Sequence, residues 1–303
     1  MKERVRPAVL LAFAAVYVVW GSTYLAIRVV LETLPPFTMA GTRFVVAGLL
    51  LGSFALARGA TWPSRSQWGT ALLLGALLFL GGNGAVVWAE QRIASGLAAL
   101  LVAIEPLWIV LLQARSGAGR PSGRAVAGVL LGIAGLVVLI GPWDLGAGGR
   151  VDLAGSAVVV AGSLSWAIGS LLGRSAKLPE PPPLAAATQM LCGGALLLAA
   201  GLLAGEPSRI VWSAVSLRSV AALLYLGLFG SIVAFTAYLW LLRQVSPALA
   251  STYAFVTPAG AVVLGAWLGA EPLTPRLLLA GSLIVGAVVL ITLAERGGER
   301  LER

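Results

Sequence analysis

Apolar runs of about twenty residues recur along the whole chain, each closed by a short polar or turn-forming break. Roughly twenty apolar residues span a bilayer core, and that length predicts ten helices. They fall at 8–30, 36–57, 68–89, 95–114, 123–141, 152–173, 183–204, 217–241, 247–269 and 276–294. The breaks carry turn chemistry: Pro35-Pro36, Trp62-Pro63-Ser64, Gly119-Arg120-Pro121, Gly141-Pro142, Pro181-Pro182-Pro183 and Glu271-Pro272. Short connections make neighbouring helices antiparallel. The first apolar run is too long for a signal-peptide core of about 7–15 residues, so it reads as a retained helix.

The pattern also repeats. Trp20, Arg28, Pro35, Pro36, Thr42 and Gly48 recur as Trp166, Arg174, Pro181, Pro182, Thr188 and Gly194, an offset of 146 (166 − 20). Trp88, Pro106 and Arg124 recur as Trp240, Pro258 and Arg276, an offset of 152 (240 − 88). Five helices are therefore repeated, in units 1–145 and 146–303. Five is odd, so the second unit enters the membrane from the opposite side. The fold expected is an all-α polytopic membrane protein of ten transmembrane helices in two inverted five-helix repeats. Secondary transporters built this way hold substrate near the midplane, between the halves.

Composition agrees. Of 303 residues, 59% are hydrophobic and 11% charged, against about 25% charged in soluble domains. The net charge of +9 does not point to nucleic acid, because the basic residues are scattered singly between apolar runs. Lys2, Arg4, Arg6, Arg58, Arg65, Arg115, Arg120 and Arg174 fall on the side of the N-terminus, which places both termini in the cytoplasm. With no histidine and one cysteine, Cys192, a Cys/His metal site and an internal disulfide are excluded. No phosphate-binding loop is present, so ATP does not drive the chain directly, and without histidine no Ser-His arrangement is possible; no enzyme activity, metal or cofactor is expected.

Intramembrane charge is rare and marks functional sites. Glu105 lies about 15 Å deep and Arg43 about 11 Å deep from the same face, at 1.5 Å per residue. Two readings stand: Glu105 is a coupling carboxylate or a counter-charge for an amine, or it is the structural ion-pair partner of Arg43. Pro106 and Pro258 each remove a helix hydrogen bond and are candidate hinges. Helix one carries Phe13, Tyr17, Trp20 and Tyr24 on one face. The candidate cavity comprises Trp20, Thr23, Tyr24, Asn83, Glu105, Trp108, Trp166, Ser170, Tyr253 and Thr257, with Arg43 orienting Glu105 or binding a substrate carboxylate. Asn83 also fits the commoner role of joining helices. Trp62, Trp68, Trp143 and Trp212 read as interfacial anchors.

Several motifs resemble the drug/metabolite transporter superfamily, in particular its EamA-type bacterial exporters. They are Trp20-Gly21-Ser22-Thr23-Tyr24, Pro35-Pro36 through Arg43-Phe44, Gly82-Asn83-Gly84, Glu90, Ser246-Pro247-Ala248 leading to Pro258, and Glu271. The likeness covers about residues 8–294. One departure is that the family often has an acid after helix four, where this chain has Gly119. The resemblance implies export of small metabolites, amino acids or drug-like solutes, across a bacterial inner membrane by alternating access. The small-molecule substrate and the lipid bilayer are then its partners, as a monomer or a homodimer. A non-transporting scaffold or regulatory subunit and a facilitator of sugar-derived solutes are the alternatives.

Overall fold

The structure is a computed structural model that describes residues 7–93, 95–115, 122–140, 152–257 and 275–301. The described residues form helices and no strand. In chain order these are α1 (Pro7–Leu31), α2 (Pro36–Ala57), α3 (Arg65–Ala89), α4 (Ser95–Val102), α5 (Glu105–Arg115) and α6 (Gly123–Ile140). There follow α7 (Leu153–Ser175), α8 (Pro182–Leu203), α9 (Leu217–Gln244), the short α10 (Pro247–Ala250) and α11 (Pro275–Leu301). Six of them, α1, α2, α3, α7, α8 and α9, are long and apolar enough to cross a membrane, and Gly123–Gly135 and Leu279–Ile291 are shorter apolar helical stretches. The chain is thus an all-helical, multi-pass membrane protein. Pro258, Glu271, Trp143, the basic residues before Pro7 and the expected stretch 258–269 of the ninth span lie outside the described residues.

Local chemistry sets the helix starts. Pro36 and Pro182 open α2 and α8 in the first turn, where a missing N–H costs nothing. Ser64 and Gln67 form a reciprocal capping box before α3. Asp152 caps α7 by accepting from the N–H groups of Ala154 and Gly155. The Gly155 hydrogen bond, with help from Ala154 and nearby Arg92, holds its carboxyl below the usual aspartate range. α2 lies closely along α8: a Cβ on Gly41 would stand 2.9 Å from the Gly194 carbonyl, and one on Gly194 3.0 Å from that of Gly41. The α6–α11 pair is equally close, with the Gly128 position 3.1 Å from the Ala287 carbonyl.

Three irregularities depart from the expected continuous helices. The fourth span, expected over 95–114, is broken at Ala103–Ile104. Pro106 is consequently the second residue of α5, in a first turn that demands no donor from it. In the ninth span a turn at Ser251–Thr252 separates α10 from a helical stretch at 253–257. Finally, α3 and α9 widen into π-helical turns over Ala76–Asn83 and Leu226–Phe235. These end 152 positions apart (235 − 83), the offset of the sequence repeat. Carbonyls in the widened turns are met by side chains: Ser165 Oγ donates to Leu77 at 2.8 Å and Trp20 Nε1 to Gly230 at 3.1 Å.

Candidate functional site

The widened turns and the broken helix converge on one cavity, with about 100 Å³ open to the centre of a water molecule. Its walls come from α1 (Trp20, Thr23, Tyr24, Ile27), α2 (Arg43, Phe44), α3 (Phe79, Gly82, Asn83, Val86), the α4–α5 break (Val102, Glu105), α7 (Gly162, Ser163, Trp166), α9 (Gly230, Phe235) and 253–257 (Tyr253, Thr257). π-helical turns are frequent at functional sites because they re-aim side chains, and here Phe79, Asn83 and Phe235 all sit on them.

Aromatic rings line one side. Trp20 meets Tyr253 at 4.7 Å, Tyr238 at 5.1 Å and Trp166 at 5.7 Å between centroids. Tyr238 is fully buried behind them, hydrogen-bonded to Trp166 and Ser170. The small residues matter too. A Cβ at Gly82 would stand 2.7 Å from the Trp166 ring, so glycine is what lets that indole approach α3.

Two ionisable groups face the same space. Glu105 is wholly buried; Tyr253 donates its hydroxyl to Oε2 at 2.5 Å, while Oε1 has no partner. Glu105 is also the first residue of α5, where the helix dipole favours negative charge. Arg43 is 6% exposed, donates through Nη2 to Asn83 Oδ1 at 3.1 Å and lies 4.1 Å over the Phe44 ring. Its Nε and Nη1 are buried without a partner.

The structure brings most of the expected residues together and sets the others apart. Trp20, Thr23, Tyr24, Asn83, Glu105, Trp166, Tyr253, Thr257 and Arg43 come together at the cavity. Trp108 and Ser170 do not line it. Trp108 donates to Ser163 at 3.1 Å, and Ser170 bonds Tyr238 and the Trp166 carbonyl, so both support residues that do line it. Of the two readings of Glu105, the ion pair with Arg43 is not formed in this structure; each group is held by a neutral neighbour instead. Pro106 borders the break without lining the cavity, and Pro258 lies outside the described residues. Phe79 and Phe235, which also line the cavity, were not singled out. Helical spacing from Asn83 leads to Phe79, and the 152 offset leads from Asn83 to Phe235.

A polytopic helical fold around a cavity with paired but unjoined charges is the architecture of a membrane transporter. The chain matches the EamA-like transporter family over residues 6–141 and 153–293 and belongs to that family. It is 42% identical over 285 residues to YedA, an uncharacterised inner membrane transporter of Escherichia coli strain K12, covering 94% of this chain and 90% of YedA. It is 25% identical to YvbV, an uncharacterised transporter of Bacillus subtilis strain 168, over 95% of this chain and 92% of the relative. A solved crystal structure matches with a TM-score of 0.78 at 26% identity, covering 98% of this chain and all of the other. The family and these relatives are transporters rather than enzymes.

Proposed function

We propose that this protein is a secondary transporter that exports small zwitterionic metabolites, amino acids above all, across a bacterial inner membrane. Ten transmembrane helices in two inverted five-helix halves, with both termini cytoplasmic, would present the cavity to each side in turn. The family match over two separate stretches supports the two halves, and the inner-membrane relative supports the location.

One observation carries the substrate class: the unpartnered Arg43 Nε and Nη1 and the unpartnered Glu105 Oε1 stand at one aromatic cavity. A guanidinium edge recognises a carboxylate, and a carboxylate recognises an ammonium group. Left without a ligand, both groups bear an uncompensated desolvation cost; a zwitterion relieves both at once. The aromatic wall takes an apolar side chain. Solutes without charge would leave both groups unpaired.

The test is counterflow of labelled phenylalanine in proteoliposomes. Arg43→Gln and Glu105→Gln should each weaken exchange about tenfold or more, the loss of one hydrogen bond to a charged group. Glu271→Gln should weaken it less than Glu105→Gln. Phenylethylamine, which lacks the carboxylate, should compete no better against the wild type than against Arg43→Gln. Counterflow indifferent to Arg43 and Glu105, or absent for every amino acid offered, overturns the assignment.

A further inference from the structure

Glu90 takes no part in the cavity wall, yet it is the most anomalous carboxylate among the described residues. It caps the C-terminal end of α3, where the helix dipole disfavours negative charge. Both carboxylate oxygens are buried without a hydrogen-bond partner. An ionised carboxylate in that setting is uncompensated, whereas a protonated one is far less costly. Glu90 follows Asn83 and Val86 by two helical turns and one, so it stands just beyond the cavity at the end of the bundle where α1 also terminates.

The neighbouring elements explain what the group could do there. On α1, Tyr24 lines the cavity and lies within electrostatic reach of both Glu90 and Glu105. Arg28, one turn further along α1, is exposed and acts on Glu90 through space, without forming a salt bridge to it. α2 carries Arg43, which is held by Asn83. α7 begins after Asp152, which Arg92 already engages at 3.6 Å. Arg28 is thus the cation placed to receive an ionised Glu90.

We propose that Glu90 is a proton-binding site at this end of the cavity, loaded while its carboxyl is buried and discharged when it moves into an ion pair with Arg28. The step is simple proton exchange with water: the O–H bond breaks, the proton leaves to solvent, and the carboxylate charge is met by the guanidinium. Tyr24, within electrostatic reach of both acids, would couple proton loading to the state of the substrate-binding acid. The role in transport rests on the reading above; the proton site itself does not.

The test is infrared spectroscopy of the full-length protein in lipid nanodiscs across a pH titration. The wild type should show a protonated-carboxyl band at neutral pH that Glu90→Gln removes and Glu105→Gln leaves in place. Arg28→Gln should carry the loss of that band to higher pH, by about one pH unit, the effect of removing one nearby opposite charge. Glutamine mimics the protonated acid in shape, so Glu90→Gln is expected to fold. If Glu90→Gln leaves the neutral-pH spectrum unchanged, the proposal is overturned. In proteoliposomes, a pH gradient should accelerate labelled phenylalanine flux in the wild type and not in Glu90→Gln; acceleration that survives the substitution also overturns it. If the wild type moves no amino acid at all, the transport reading fails, and the infrared result still decides on the proton site.

Discussion

At the scale of single residues, the proposed substrate site would work by withholding partners. Arg43 and Glu105 sit in one chamber, yet Asn83 and Tyr253 hold them apart, each leaving hydrogen-bonding capacity unused. Had the two formed an ion pair, substrate would have to break it. The neutral holders keep each charge oriented and available. Tyr253→Phe should therefore lower the apparent affinity for phenylalanine by about tenfold, since it frees Glu105 to swing and removes a charge-assisted hydrogen bond. Competition binding on the purified protein measures this; unchanged affinity would mean that Tyr253 does not orient the acid. The charges themselves were legible in the sequence, because an acid and an arginine deep in apolar segments have few explanations. Their partners were not, since depth along two helices fixes height in the membrane and leaves the rotation of each helix about its axis undetermined.

At the scale of elements, the helices that line the cavity are the irregular ones, and the regular ones pack against each other. α2 on α8 and α6 on α11 meet at glycine-lined seams, whereas α3 and α9 widen and the fourth and ninth spans break. The seam of α2 is also tied at its end. Glu206 is buried and accepts from the N–H groups of Phe37 and Thr38 and from the Thr38 hydroxyl, so a carboxylate caps the N-terminus of α2 from beyond α8. Glu206→Ala should cost about 2 kcal/mol, the scale of hydrogen bonds to a buried charge, read as a lowered unfolding temperature in detergent. Pro106→Ala acts differently. It returns an N–H to the chain just past the break and permits α4 and α5 to run on as one helix, which would rotate Glu105 off the cavity; phenylalanine exchange should fall while thermal stability holds or rises. Proline made this span visible as special in the sequence. The break itself falls two residues earlier, because a helix resolves an internal proline most cheaply by starting afresh around it. The π-helical turns left no mark that composition or periodicity reveals, since their sequences are as apolar as any other span.

At the scale of the whole molecule, the inverted repeat proposed above makes a claim that labelling can test. Repeat partners must occupy opposite faces of the membrane. Arg28 and Arg174 are such partners, offset by 146 (174 − 28); both are exposed, and both lie in the last turn of their helices. Cys192 is the chain's one cysteine, so a Cys192→Ser background carries no thiol of its own. In that background Arg28→Cys should react with a membrane-impermeant maleimide added to intact cells, and Arg174→Cys should react only after the membrane is opened. Equal labelling from one side would place the two halves in parallel and remove the geometric basis for alternating access. Opposite labelling would mean that the chain inserts its second unit upside down, as an odd number of spans per unit demands. The cavity would then lie between two halves of opposite orientation, each lending it one widened helix and one broken one.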